Sequence, residues 1–162
     1  MTTSKILIGV CFIIFAGIFD FAKAVPQWRR GLNGYEYLIE IEQKYNWFEA
    51  SHLCASQNLH LVEIDSEKKN TDLIHVLKIY PGSSRNLWLG ANDEFNQAKD
   101  KKRAFYWSSG KKMVFNFWSI ENPNNAASNE HCAHIWHSKA NFEWNDNVCT
   151  NKMGYICEKE IQ

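Results

Sequence analysis

The first element that the hydrophobic pattern indicates is a β-strand. In residues 35–41 every second side chain is aromatic or aliphatic, while the opposite face carries Glu36 and Glu40. A period of two residues predicts a strand with one buried face. A second, shorter strand is predicted at residues 61–64, where Leu, Val and Ile surround a single Glu.

Two amphipathic helices are predicted, one before and one after that short strand. Asn46 is a candidate N-cap for the first, whose apolar residues recur at helical spacing from Trp47 to Cys54. The Asp-Ser pair at residues 65–66 can cap the second, and the Pro-Gly pair at residues 81–82 ends it. The apolar positions of the second helix follow the i, i+3, i+4, i+7 pattern: Leu73, Val76, Leu77 and Tyr80.

Beyond residue 82 the helical period is lost, and short strands alternate with long polar loops. Strands are predicted at residues 87–90, 105–107, 113–118 and 132–136, the middle two as a hairpin. Polar loops are predicted at residues 91–103, 119–129 and 141–147, and residues 148–157 close the domain. A strand, two helices and then several short strands predict an α+β domain.

Composition limits the classes of protein to which the chain can belong. The 162 residues include 18 Lys and Arg against 18 Asp and Glu, so the formal net charge is zero. This balance argues against a broad basic surface for nucleic acid or anionic lipid, because both require excess Lys and Arg. A hydrophobic content of 45% excludes a disordered chain, and the length suits one domain.

The N-terminus is typical of a secretory signal peptide. Lys5 precedes an apolar stretch at residues 6–19, and an Ala-Lys-Ala sequence ends at Ala24. A membrane anchor is the alternative, but the apolar stretch is shorter than the ~20 residues that span a bilayer. We therefore expect cleavage before Val25 and a secreted, extracellular product without membrane insertion. The expected organisation is a signal peptide at residues 1–24, a short leader at 25–34 and one domain at 35–160.

The cysteine count supports the same interpretation. Of the five cysteines, Cys11 is removed with the signal peptide. The exported chain keeps Cys54, Cys132, Cys149 and Cys157. Four cysteines in an exported domain indicate two disulfides.

Two clusters of acidic and amide side chains lie in the late loops. The first is Glu-Asn-Pro-Asn-Asn at residues 121–125, followed by Glu130 just before Cys132. The second is Glu-Trp-Asn-Asp at residues 143–146, just before Cys149. Such oxygens are the ligands that Ca²⁺ prefers. Either cluster alone indicates only turns, but if Cys132 and Cys149 are bridged, the two together predict one cation site.

In order and spacing, these features resemble the C-type lectin family over essentially the whole exported chain. The shared markers are residues 47–50, Cys54, residues 87–90, Trp118, residues 122–124, residues 130–132, residues 144–146, Cys149 and Cys157. The secreted single-domain arrangement is similar to that of insect members. The resemblance implies two helices with two small antiparallel sheets, long loops, and the disulfides Cys54–Cys157 and Cys132–Cys149.

The resemblance also implies one loop Ca²⁺ that binds carbohydrate. In sugar-binding members this ion coordinates vicinal hydroxyls of a monosaccharide, and the side chains that hold the ion also bond those hydroxyls. The proline of the triplet is typically cis in the family, which an X-Pro bond permits. Carried over to this chain, the calcium ligands and the sugar-binding residues are the same: Asn122, Asn124, Glu130, Asn145 and Asp146.

The implied function is that of a calcium-dependent lectin, not an enzyme. Its implied partners are glycans on cell or microbial surfaces. Because a single lectin site binds weakly, self-association into a homo-oligomer would add avidity.

The triplet departs from the family pattern. Mannose-type members have Glu-Pro-Asn and galactose-type members Gln-Pro-Asp, whereas Asn122 and Asn124 are both uncharged. Only the carboxylates of Glu130 and Asp146 remain where the usual site has three, so we expect weaker calcium binding. Glu121 lies one position too early to substitute. Asn124 matches the mannose-type triplet, which favours mannose or fucose over galactose.

Many relatives hold a second, auxiliary calcium ion in neighbouring loops. Here Asp93 is present, but Gln97, Asn125 and His131 occupy the partner positions. We expect this second site to be absent or poor.

A zinc site and a hydrolase are two alternative interpretations. His131, His134 and His137 recur every third residue, but on a strand His134 faces away from the other two, which disfavours a shared zinc ion. Pairs of carboxylates could serve glycoside hydrolysis, although acids that share one cation with amides suit that catalysis poorly. The candidate acids are Glu121, Glu130, Glu143 and Asp146.

The stronger alternative is a C-type lectin-like module that binds a protein or a surface without calcium. The altered triplet favours this alternative. The intact Glu130 and the Trp-Asn-Asp sequence at residues 144–146 favour the calcium site.

Overall fold

The computed structural model describes residues 26–80, 82, 85–95, 103–136 and 141–161. The predicted signal peptide, Gln97 and His137 therefore lie outside the described residues. The elements in chain order are β1 (Gln27–Arg30), β2 (Tyr35–Tyr45), α1 (Trp47–Ala55), β3 (His60–Leu61), α2 (Glu67–Ile79), β4 (Leu87–Asn92), β5 (Tyr106–Trp107), a 3-10 turn (Ala126–Ser128), β6 (Cys132–Ile135), β7 (Trp144–Asn147) and β8 (Met153–Glu160).

Both helices begin where their capping residues predict. The Asn46 side chain accepts a hydrogen bond from the Glu49 N–H, and the Glu49 carboxylate accepts one from the Asn46 N–H, both over 2.8 Å. Ser66 caps α2 and accepts a longer bond, 3.4 Å, from the N–H of Lys69. Such caps satisfy N–H groups that a helix leaves free at its start. Neither helix is long and apolar enough to cross a membrane, and the same holds for every helix among the described residues.

The strands form one mixed sheet in the order β1-β2-β8-β4-β6-β7, with β3 on β8 and β5 on β4. The two expected antiparallel sheets are joined, because β4 pairs in parallel with β8, placing Leu87 opposite Gly154 and Trp88 opposite Tyr155. Gly154 permits this close approach. A Cβ at this position would lie 2.3 Å from the carbonyl oxygen of Glu40 and 2.7 Å from the Leu87 side chain.

Two segments that the sequence pattern assigns to irregular structure are strands. The expected leader contains β1, which pairs antiparallel with β2 so that Trp28 lies opposite Leu38. The Trp28 ring also lies 4.5 Å from the Lys159 ammonium group. The expected polar loop at residues 141–147 contains β7, whose Trp144 is fully buried. Neither strand shows an alternation of hydrophobic and polar residues in its sequence. Strand β1 is a mostly exposed edge strand, and β7 is mostly polar.

One predicted strand is shorter than expected, and another is absent. The strand expected at residues 61–64 is reduced to β3, although the N–H of Val62 still donates to the carbonyl of Ile156 over 2.9 Å. The second half of the expected hairpin, residues 113–117, forms no strand. Trp118 instead forms an isolated parallel bridge with Trp144, which ties this loop to β7.

Each face of the sheet buries its own apolar cluster. Alternation along β4 sends Leu87 and Leu89 to the cluster that contains α2, and Trp88 to the cluster that contains α1. All four described cysteines lie in the second cluster. They form the two disulfides that the resemblance implies, Cys54–Cys157 between α1 and β8, and Cys132–Cys149 between β6 and the turn after β7.

Candidate functional site

Strand β7 presents the second acidic and amide cluster. Asn145 lies opposite His134 of β6, and the alternation of side chains buries Asp146 completely while leaving Asn145 half-buried. The Cys132–Cys149 disulfide joins the beginning of β6 to the segment after β7. The strand pair and the disulfide thus give the cluster a rigid base.

The carboxylate of Asp146 holds the first cluster against the second. Its Oδ1 accepts a hydrogen bond from the main-chain N–H of Asn124 over 3.0 Å, and its Oδ2 accepts one from that of Asn125 over 2.8 Å. These bonds dock the loop after Pro123 onto β7. The structure therefore brings Asn124 and Asp146 together, as a shared site requires.

Glu130 closes the same loop on itself. Its N–H donates to Oδ1 of Asn125 over 2.9 Å, and its Oε2 accepts from the N–H of Ala126 over 3.1 Å. Asn124 makes a similar bond, since its Oδ1 accepts from that same N–H over 2.9 Å. Burial raises the pKa of the Glu130 carboxyl, and the nearby charge of Asp146 raises it further.

Asn122 and Asn145 each have a buried side-chain oxygen without a hydrogen-bond partner among the described residues. Nδ2 of Asn122 donates to the Ser119 hydroxyl over 2.7 Å, and that hydroxyl donates to the Trp144 carbonyl over 3.1 Å. Ser119 thereby connects Asn122 to the residue before Asn145. The Asn122–Pro123 peptide bond is cis.

The backbone of this loop contains several non-glycine residues in the left-handed region. Their φ angles are 71° at Glu121, 47° at Asn125, 53° at Ala127 and 56° at Ser128. Such conformations are uncommon for residues with a Cβ and concentrate at functional sites. The Glu121 side chain is exposed, whereas the neighbouring Asn122 is half-buried.

The residues present fit a hard cation such as Ca²⁺. All five predicted ligands offer side-chain oxygens, and calcium takes six to eight oxygen ligands. Buried oxygens in native proteins are nearly always bonded, so those of Asn122 and Asn145 are suited to a cation or to a water molecule. Oδ1 of Asn124, Oε2 of Glu130 and Oδ1 of Asp146 each accept one N–H bond and retain a lone pair for a metal ion.

Arg103 lies in the same cluster, and the sequence pattern did not indicate it. Its side chain is 1% exposed, and its Nη1 donates to Oδ2 of Asp93 over 3.0 Å and to the Glu130 carbonyl over 2.5 Å. Its Nη2 forms an ion pair with Oδ2 of Asp146. In the sequence alone, Arg103 cannot be told apart from the other charged residues of the predicted polar loop at residues 91–103.

Asp93, the acid that would serve an auxiliary calcium ion, contacts two other side chains instead. Oδ2 of Asp93 is bonded to Arg103, and Oδ1 lies 2.9 Å from Nδ1 of His131. Burial raises the pKa of the Asp93 carboxyl, although His131 and Arg103 both act in the opposite direction. A guanidinium and an imidazole thus contact Asp93, the acid that would serve that ion.

The two described histidines of the zinc interpretation have different partners. His131 faces Asp93, while Nδ1 of His134 lies 2.9 Å from the Ile135 carbonyl. Burial lowers the pKa of His134 to about 4. Glu94 lies near the sulfurs of Cys132 and Cys149, but these sulfurs form a disulfide and do not offer thiolates to a metal ion.

A cavity of about 320 Å³ lies beside the triplet. Its lining includes Pro123, Trp118, Lys112 and Asn116. A larger cavity of about 600 Å³ lies beside α2 and shares no residue with the candidate site.

Comparisons with known proteins agree with this fold. The sequence profile described as the lectin C-type domain matches residues 43–159. The chain is 50% identical over 148 residues to lectin subunit alpha of Sarcophaga peregrina, covering 91% of this chain and 52% of that protein. It is 31% identical over 128 residues to a C-type lectin mannose-binding isoform of Oxyuranus scutellatus, covering 78% and 77%.

A solved structure shows the same fold. The mouse scavenger receptor C-type lectin carbohydrate-recognition domain superposes with a TM-score of 0.69 at 23% identity, covering 85% of this chain and 96% of that one. Fold and loop architecture together define a disulfide-bonded lectin domain. The chain belongs to the C-type lectin family, a class of non-enzymatic binding proteins that generally bind Ca²⁺. It spans about half the length of the Sarcophaga relative.

Proposed function

We propose that the chain is a secreted, calcium-dependent lectin that binds monosaccharide hydroxyls at the loop site. Asn122, Asn124, Glu130, Asn145 and Asp146 would hold one calcium ion and bond the sugar. The observation that supports this most directly is the pair of buried, unpartnered oxygens at Asn122 and Asn145. They belong to segments far apart in the chain and lie at two of the positions that the resemblance implies.

A bound calcium ion would supply coordination positions for two vicinal hydroxyls of the sugar. The protein's own contribution is to place the surrounding groups. Ser119 orients the Asn122 amide, and pairing with β6 orients Asn145. Amide groups can donate to a sugar hydroxyl oxygen, whereas a carboxylate such as Glu130 accepts from the hydroxyl proton.

The favoured sugar class is mannose or fucose rather than galactose. Asn124 matches the mannose-type triplet, and one relative is named a mannose-binding isoform. We expect modest calcium affinity, because the ligand set contains two carboxylates and Asp146 is already paired with Arg103.

The proposed partners are glycans on cell or microbial surfaces, bound outside the cell and without catalysis. The Sarcophaga relative is named a subunit, which supports assembly of several chains. Assembly would increase the overall affinity, because several weak sites could bind one glycan-bearing surface at the same time. A neutral net charge favours these partners over nucleic acid.

A second candidate function is a calcium-independent module that binds a protein or a surface. The contact that favours it is the Arg103 guanidinium, which already pairs with the carboxylate of Asp146. In this alternative the buried oxygens of Asn122 and Asn145 would be satisfied by water.

The experiment that separates the two candidates is a glycan array probed with the mature secreted chain, in calcium and in chelator. The proposal predicts binding to mannose or fucose glycans that is lost in chelator. Asn122→Ala combined with Asn145→Ala should abolish this binding, whereas Asn129→Ala, an exposed residue of the same loop, should retain it. Equal binding in calcium and chelator would support the calcium-independent candidate.

A calcium titration followed by tryptophan fluorescence gives a readout without sugar. The fully buried Trp144 precedes Asn145 and receives the Ser119 hydrogen bond, so occupation of the site should change its emission. The Asn122 and Asn145 double variant should give no change.

A further inference from the structure

We propose that Arg103 is an internal cation that fixes the loop site before any calcium ion binds. This inference rests on the proposed site but concerns its preorganisation. Arg103 is a positioning residue, since it acts through Asp146 and the loop rather than on a ligand.

Three separate segments converge on the guanidinium. Asp93 follows β4, the Glu130 carbonyl precedes β6, and Asp146 belongs to β7. Both carboxylates are fully buried, and the arginine side chain is 1% exposed. A planar guanidinium can bond several acceptors at once, which a lysine cannot do in the same geometry.

The effect reaches the triplet through Asp146. The same Oδ2 that pairs with Arg103 accepts the N–H of Asn125, and Oδ1 accepts the N–H of Asn124. An arginine that holds Asp146 therefore also holds the backbone of the triplet. Without Arg103, two buried carboxylates would lose their common cation, and buried charges without a partner are strongly unfavourable.

Arg103 consequently takes the structural role that a second divalent ion could otherwise have. It pairs with both Asp93 and Asp146, offsets one of their two negative charges, and links three segments with a charge that does not depend on calcium concentration. Calcium is then needed for contact with a ligand but not for the order of the loop.

Amide hydrogen exchange of the mature chain tests this inference without sugar. In the wild-type protein, the N–H groups of Asn124, Asn125 and Glu130 should be equally protected in calcium and in chelator. In Arg103→Gln they should exchange at least about tenfold faster in chelator, because the bonds of Asn124 and Asn125 to Asp146 open more often, and with them the Glu130 bond to Asn125. Calcium should restore part of that protection. Arg103→Lys should fall between the two, and Arg85→Gln, a change at an exposed arginine, should match the wild type.

The wild-type comparison alone can overturn the inference, even where Arg103→Gln fails to fold. Loss of protection at these three amides when calcium is removed would show that calcium orders the loop. Unchanged exchange in a folded Arg103→Gln would also overturn it. If calcium has no effect on either chain while Arg103→Gln exchanges faster, the role of Arg103 stands and the calcium-dependent function fails.

Discussion

The side-chain amide of Asn122 donates a 2.7 Å hydrogen bond to the hydroxyl of Ser119. This bond fixes the orientation of the amide. The amide nitrogen is hydrogen-bonded, while the buried amide oxygen has no partner among the described residues. The site thus has an oriented neutral oxygen at a position where mannose-type relatives have a carboxylate.

Restoring that carboxylate should strengthen calcium binding. Asn122→Glu raises the number of acidic residues in the proposed ligand set from two to three, and the charge of the ligands sets much of the affinity for Ca²⁺. We expect the dissociation constant to fall about tenfold, which corresponds to about 1.4 kcal/mol. Calorimetric titration of the mature chain with calcium measures the change.

Asn122→Gln is the matched control, because it adds the same methylene without the charge. Its calcium affinity should stay within a factor of about two of the wild type. Equal affinities for the Glu and Gln variants would mean that residue 122 does not face the metal ion.

The two disulfides should contribute differently to stability and binding. Cys54–Cys157 closes a loop with a sequence separation of 103, and Cys132–Cys149 one of 17. On a chain-entropy argument these are worth about 4.7 and about 3 kcal/mol. Replacing Cys54 and Cys157 by Ser should therefore reduce the free energy of unfolding more, as measured by urea denaturation.

The losses of calcium affinity in the two disulfide variants should follow the opposite order to their losses of stability. The Cys132–Cys149 disulfide lies at the base of the loop site, whereas Cys54–Cys157 joins α1 to β8. Under conditions where both double variants are folded, calcium titration should show the larger loss for Cys132→Ser with Cys149→Ser. A larger loss in the other variant would separate calcium binding from the loop site.

The elements that the sequence predicted well depend on near neighbours. The cap of α1 requires only Asn46 and Glu49, three residues apart, so its pattern is visible in the chain. Strand β1 forms because it pairs with β2, and the cation that lies over the Trp28 ring belongs to Lys159, 131 residues later in the chain. A local pattern cannot contain such partners.

The same distinction applies to the site. Motif resemblance indicated Asn122, Asn124, Glu130, Asn145 and Asp146, and the structure brings the two segments together through Asp146. Arg103 was not predictable, because its acceptors lie 10, 27 and 43 residues away. Only the folded chain distinguishes this buried guanidinium from a solvated one.

The cap of α1 should be worth more than that of α2. Asn46→Ala removes the acceptor of a 2.8 Å bond and breaks the reciprocal pair with Glu49, so we expect a loss of about 1 kcal/mol. Ser66→Ala removes only a 3.4 Å bond and should cost less. Urea denaturation of both variants gives the comparison, and an equal or reversed order would contradict it.

Glu40 provides a prediction of pH dependence away from the loop site. The residue is 2% exposed, and its Oε1 accepts a hydrogen bond from the N–H of Glu42 over 2.8 Å. Lys44 pairs with Glu42 rather than with Glu40. Burial raises the pKa of the Glu40 carboxyl, and the charge of Glu42 adds to the increase while the hydrogen bond opposes it.

Because the pKa of Glu40 is higher in the folded chain than in the unfolded chain, the folded state binds more protons between the two values. Its contribution to stability therefore falls as pH rises from about 4, the usual value for Glu, through the folded-state pKa. Glu40→Gln keeps the acceptor for Glu42 and does not titrate. Its advantage in free energy of unfolding over the wild type should grow from pH 4 upward and then level off, as measured by urea denaturation at several pH values. A constant or shrinking advantage for Glu40→Gln would show that Glu40 is not held in a costly charged state.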